Sequence, residues 1–223
     1  PMYSRILNEK GQLSANRFTS NLINTLLLLA SIIVVFVLLF TQPIVKMFAS
    51  GFSGETLILA VNFTRISIFG VYLTALINVF VGLLRLYENY VVPALITVPL
   101  SIIIIISLFI SAKTSVYLIA AGNILAILSQ LILLAPFLRK IGYSYKPVID
   151  FKDQYIKSMI LIALPVIVGT SVNEINVLVD RTLASNIAIG GISALNYANR
   201  LNYFVQGLFV ASISNVMYPM ISK

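Results

Sequence analysis

Residues 18–45 read FTSNLINTLLLLASIIVVFVLLFTQPIV, 28 positions without one charged side chain. A bilayer core ~30 Å thick takes roughly 20 apolar residues to cross as a helix. A run this long and uninterrupted exceeds what a buried helix of a soluble domain needs. The rest of the chain repeats the pattern. Charge-free runs cover Asn89 to Ala112 (24 residues), Thr114 to Leu138 (25 residues) and Leu201 to Ser222 (22 residues). Two further apolar stretches carry charges: Leu57 to Leu84 with Arg65, and Ser158 to Ala184 with Glu174, Asp180 and Arg181. The fold class that follows is an all-α integral membrane protein of about six transmembrane helices.

Composition agrees. Hydrophobic residues make up 59% of the 223, charged residues 10%, and the mean hydropathy is +1.00, where a soluble domain carries about a quarter charged residues. Cysteine and histidine are absent, which removes disulfides, thiolate metal sites and the commonest general base. No Gly-rich phosphate loop or nucleotide-binding motif is present. An enzyme is therefore not expected, and transport would draw on a gradient or the membrane potential.

The net charge of +8 does not point to nucleic acid, because the basic residues sit in short loops between spans. Arg5, Lys10, Arg17, Arg85, Arg139, Lys140, Lys146, Lys152, Lys157 and Lys223 fall on one side; Lys46, Lys113 and the membrane-edge Arg65 and Arg181 fall on the other. The positive-inside rule then puts both chain ends in the cytoplasm. Arg65 is expected to snorkel to outer headgroups, and Arg85 and Glu88 to form an interfacial pair. The basic loop from Arg139 reads equally as a solvated connector or as a segment lying on anionic lipid.

The fifth and sixth spans carry the unusual polarity. Pro165 should bend or loosen the fifth. Helical spacing puts Asn173, Asn176 and Asp180 on one stripe, with Glu174 and Arg181 on the next. Carboxylates facing lipid are unfavourable, so this sector should face protein or a water-filled cavity. Asp180 and Arg181 also read as headgroup-level anchors, and Glu174 as half of a structural ion pair. After Gly190-Gly191, the sixth span places Asn196, Arg200, Tyr203 and Gly207 on one face, beside Asn199, Asn202 and Gln206. Arg200 lies ~12 Å into the helix at ~1.5 Å per residue. A buried arginine offers a rigid fork of donors to pyrophosphate or carboxylate; a salt bridge to Asp180 or Glu174 is the structural alternative.

The opening Pro1-Met2-Tyr3-Ser4-Arg5 is echoed by Pro219-Met220-Ile221-Ser222-Lys223, 218 positions later. A repeat of that length fits the internal duplication common in transporters. The expectation is a fragment, running from early in one half to the matching point of the next.

The stretch Val179-Asp180-Arg181-Thr182-Leu183-Ala184-Ser185, followed by Gly191-Ile192-Ser193-Ala194-Leu195-Asn196-Tyr197-Ala198-Asn199-Arg200-Leu201, resembles the MurJ (MviN) family, bacterial flippases for the lipid-linked peptidoglycan precursor lipid II. The ending Val216-Met217-Tyr218-Pro219-Met220-Ile221-Ser222-Lys223 fits the same pattern. The resemblance covers essentially the whole chain, from the end of the family's second helix to the end of its eighth. It implies a fold of two six-helix lobes related by pseudo-two-fold symmetry around a central cavity, working by alternating access. On that plan residues 1–157 are the last four helices of the N-terminal lobe plus a cytoplasmic loop, and residues 158–223 the first two helices of the C-terminal lobe. Arg200 matches an eighth-helix arginine thought to engage the lipid pyrophosphate, with Asn196, Asn199 and Tyr203 as neighbours in substrate binding. Asp180 matches an aspartate that contributes to a sodium site in some members, the other ligands lying beyond this C-terminus; Glu174, Asn173 and Asn176 join it as ion-coupling candidates. Where some members have an acid three positions after the arginine, this chain has Tyr203. No cofactor other than sodium is implied. The implied partners are a lipid-linked substrate, membrane lipids and the remaining helices of the same protein, and the implied location is the bacterial cytoplasmic membrane. Rival readings are a flippase for another undecaprenyl-linked polysaccharide, a cation-coupled drug antiporter of the same superfamily, and a non-transporting scaffold. Charges held in hydrocarbon argue against the scaffold.

Overall fold

The computed structural model describes residues 2–187 and 190–210, without the side chains at 208 and 210. The echo between the chain's two ends, and the second half of the sixth span, lie outside the described residues. Nine helices are described: α1 (Met2–Leu39), α2 (Thr41–Phe48), α3 (Gly54–Ser67), α4 (Gly70–Leu86), α5 (Val91–Leu95), α6 (Thr97–Ser111), α7 (Tyr117–Lys140), α8 (Gln154–Ile187) and α9 (Gly191–Val205), the last followed by a π-helical turn, Gln206–Val210. No strand occurs among the described residues.

These helices account for the expected spans. Four stretches are long and apolar enough to cross a membrane: α1, the combined α5–α6 stretch from Val91 to Ser111, α7 and α8. The pair α3 and α4 makes a fifth, broken by a 43° bend. The sixth begins in α9. Their outward faces carry large apolar side chains such as Ile32, Ile33, Phe36, Ile102, Phe109, Ile132 and Leu161. In water such a surface would aggregate; against acyl chains it is the required lining.

The structure adds detail to the sequence reading and corrects one expected pair. The polar segment ahead of the first span is helical from Met2, interrupted only by non-helical Gly11 (φ 76°, ψ 176°). Its Tyr3 and Ile6 are buried with Ala15, Phe18, Leu83 of α4 and Ile156 of α8, so apolar burial outweighs the charges around it. The Arg85–Glu88 pair does not form, and the salt bridge among the described residues is Arg5–Glu9 (2.8 Å). That turn is closed by the main chain instead, with the Glu88 N–H donating to the Arg85 carbonyl (3.1 Å) and the Asn89 N–H to Leu84 (3.0 Å). Helix α8 continues through Pro165.

The loop over residues 142–153 is not a free connector. It lies along a polar stripe of α1 formed by Asn16, Ser20, Asn21 and Asn24, spaced i, i+4, i+5 and i+8, and thus on one face. The Asn16 amide donates to the Gly142 carbonyl (2.9 Å) and the Asn24 amide to Val148 (2.8 Å). The Lys146 N–H donates to Ser20 Oγ (3.0 Å), and the Tyr145 hydroxyl to Asn24 Oδ1 (2.7 Å). These side chains satisfy backbone groups that have no ladder of their own. Tyr143, in the same loop, packs edge-on against Phe80, and burial pushes its phenol above the ordinary value.

Elsewhere the bundle packs through small residues. A Cβ at Gly122 of α7 would overlap Ser107 Oγ of α6, so these two helices approach more closely than any larger residue permits. A second core joins Ile77 and Leu84 of α4, Val92 of α5, Ile96, and Leu134 and Leu138 of α7.

Candidate functional site

The last turns of α8 and the whole of α9 form an antiparallel hairpin, and the polar residues singled out from sequence meet in the groove between them. A cavity of about 260 Å³ is lined by Glu174, Val177, Asp180 and Arg181 from α8 and by Leu195, Asn196, Asn199, Arg200 and Tyr203 from α9. On α9 these positions run i, i+1, i+4, i+5 and i+8, one continuous face at 3.6 residues per turn. On α8 Glu174, Val177 and Arg181 follow the i, i+3, i+7 rule, with Asp180 beside them.

Seven of the nine lining residues are polar or charged, and their charges balance: Glu174 and Asp180 against Arg181 and Arg200. No carboxylate–guanidinium salt bridge forms in this groove, since the one ion pair among the described residues is Arg5–Glu9. The alternative of an Arg200 bridge to Asp180 or Glu174 is therefore not what the described residues adopt. Nor is Arg200 buried; its side chain is exposed to the open groove, which leaves its donors available to a ligand. Asn173 and Asn176 do not join the group. Both are exposed and neither lines the cavity; Asn176 sits roughly 160° around the helix from Glu174 at 3.6 residues per turn.

A second opening of about 490 Å³ shares Glu174, Val177 and Arg181 with the first and reaches Phe48 at the end of α2. The acid-bearing face of α8 is thus bordered by openings on two sides.

A cation held here would draw on the carboxylates of Asp180 and Glu174 and the amide oxygens of Asn196 and Asn199, hard oxygen donors of the type alkali and alkaline-earth ions take. No group of three or more acidic, histidine or cysteine side chains converges among the described residues.

Sequence reasoning missed the polar contacts just beyond this cavity. The Thr182 hydroxyl lies 3.1 and 3.2 Å from the carbonyl oxygens of Met47 and Phe48. The Gly51 N–H donates to Ser185 Oγ (3.1 Å), and the Asn186 amide to Ser50 Oγ (2.7 Å). Their residue types are unremarkable singly; only the pairing of two segments 134 to 136 positions apart reveals them.

Comparison with known proteins gives a consistent answer. A family model described as "Lipid II flippase MurJ" matches residues 1–223. A "Probable lipid II flippase MurJ" of Buchnera aphidicola subsp. Baizongia pistaciae is 28% identical over 238 residues, covering 100% of this chain and 44% of that protein. The "Lipid II flippase MurJ" of Burkholderia cenocepacia is 26% identical over 184 residues, covering 78% of this chain and 36% of that protein. A solved structure described as "Lipid II flippase MurJ, inward closed conformation" superposes with a TM-score of 0.80 at 26% identity, over 96% of this chain and 45% of that one. The chain spans less than half the length of these relatives. A multi-span helical bundle, a polar groove between α8 and α9, and a match along every residue lead to one assignment: the chain belongs to the lipid II flippase MurJ family.

Proposed function

We propose that α8 and α9 form one wall of the cavity of a flippase that carries the undecaprenyl-pyrophosphate-linked precursor lipid II across the bacterial cytoplasmic membrane by alternating access. In this reading residues 1–157 close the N-terminal lobe and residues 158–223 open the C-terminal one, with both chain ends cytoplasmic. The observation that carries it is the groove itself, where Arg200, in no ion pair among the described residues, stands among Asn196, Asn199 and Tyr203.

Arg200 supplies a charged fork that matches two phosphate oxygens. Asn196, Asn199 and Tyr203 add neutral donors without adding charge. Because the lining is net neutral, a polyanionic headgroup needs compensation. A cation such as sodium at Asp180 and Glu174 would remove the repulsion those acids exert, and this makes ion and substrate binding mutually favourable. The same groove would serve another undecaprenyl-linked sugar, since the contacts argued here read the pyrophosphate.

The test is complementation of cells depleted of their lipid II flippase by the full-length protein. Arg200→Ala at normal expression should fail to support growth, and Arg200→Lys should support it poorly. Normal growth with Arg200→Ala would remove that residue from the mechanism.

A further inference from the structure

Helix α8 meets the rest of the chain at its two ends, by opposite chemistry. Its buried residues are Ile156 in the first turn and Ala184 near the last. Ile156 is 1% exposed, in an apolar cluster with Tyr3, Ile6, Phe18 and Leu83. Separating that end would expose hydrocarbon. The other end is held by hydroxyl and amide groups: Gly51 to Ser185 and Asn186 to Ser50, with the single Thr182 hydroxyl proton, 2.9 Å from the Leu178 carbonyl of its own helix, also within reach of the Met47 and Phe48 carbonyls. These contacts lie at exposed positions, where water can replace each one at little net cost.

The backbones also touch. A Cβ at Gly51 would overlap the carbonyl oxygen of Ser185, so the approach requires glycine there. Thr182 directly follows the cavity residues Asp180 and Arg181, and the contact sits at the end of α8 remote from the basic loops. We propose that the Gly51–Ser185 contact is a latch that closes this end of the α8–α9 groove and parts when substrate leaves there. The proposal rests on the transport reading above and adds to it the element that opens. A permanent joint would be built as the Ile156 end is, from apolar bulk. A separable one is built from replaceable hydrogen bonds at exposed positions.

The experiment uses the full-length protein in a cysteine-free background. Ser50→Cys with Asn186→Cys should crosslink on oxidation, cut lipid II flipping by about tenfold or more, as locking one of two states requires, and recover on reduction. Failure to crosslink, or full flipping while crosslinked, would overturn the latch. Separately, Gly51→Ala should raise labelling of a Val177→Cys reporter by an impermeant maleimide applied to the outer face, roughly five- to tenfold if the added methyl overpacks the contact. Unchanged labelling would overturn the proposal; if Gly51→Ala does not accumulate, Ser185→Ala removes the hydrogen bond without adding volume and is read the same way. Crosslinking and labelling need no substrate. A protein that latches and opens but never flips lipid II would therefore count against the substrate reading and leave the latch standing.

Discussion

Asn21 holds Asp150 by two opposed hydrogen bonds. The Asn21 amide nitrogen donates to the Asp150 carbonyl (2.9 Å), and the Asp150 N–H donates back to Asn21 Oδ1 (2.7 Å). A side chain thus pairs with a backbone as a neighbouring β-strand would. Asn21→Leu keeps the volume and leaves both backbone groups unpaired, at a cost of about 1–3 kcal/mol each. Hydrogen exchange of the loop amides, Lys146 and Asp150 above all, should accelerate roughly 10- to 100-fold. Unchanged protection would mean the stripe does not hold the loop.

The tight approach of α6 and α7 yields a stability prediction. Gly122→Leu drives a branched side chain into Ser107, whose hydroxyl already donates to the Ile103 carbonyl (2.7 Å). Overpacking of this kind costs about 1–3 kcal/mol. Thermal unfolding of the detergent-solubilised protein should fall by several degrees relative to wild type, and Gly122→Ala should fall less.

Asp180→Asn should alter the sodium dependence of transport and leave expression and thermal stability near wild type, because Asp180 is exposed to the groove and forms no ion pair among the described residues. The measurement is flipping or ligand binding across a sodium titration. A flat response in wild type, or an identical one in the variant, returns Asp180 to a structural role.

Orientation is tested by single cysteines. Lys140 ends α7 on the basic side and Lys113 follows α6 on the other. Impermeant maleimide added to intact cells should label Lys113→Cys and spare Lys140→Cys. The reverse pattern would invert the topology.

Much of the architecture was legible because lipid solvation leaves a coarse signal. Runs such as residues 18–45 carry no charge, and a backbone in hydrocarbon must be helical to satisfy itself. The groove was legible for a related reason: Glu174, Asp180, Arg181 and Arg200 are expensive in a membrane, so their presence demanded a polar environment. The docked loop was missed although its signal was there. Asn16, Ser20, Asn21 and Asn24 share one face of α1, but neutral polar residues inside a charge-free run do not interrupt hydropathy, and their partners are main-chain groups about 125 positions away. The 43° bend between α3 and α4 was hidden because the apolar pattern continues through it. Asn173 and Asn176 were included with Asp180 from stripe geometry alone, which places residues on a face of one helix but does not say which of them the neighbouring helix encloses in a cavity.

The central claim, that the α8–α9 groove reads the pyrophosphate of lipid II through Arg200, is tested most directly by binding of lipid II to the purified full-length protein, measured by native mass spectrometry. Arg200→Ala should weaken binding roughly 10- to 100-fold, the size expected when charge-assisted hydrogen bonds are lost, and Arg200→Lys should recover only part of it. Equal affinity in wild type and Arg200→Ala would contradict the account.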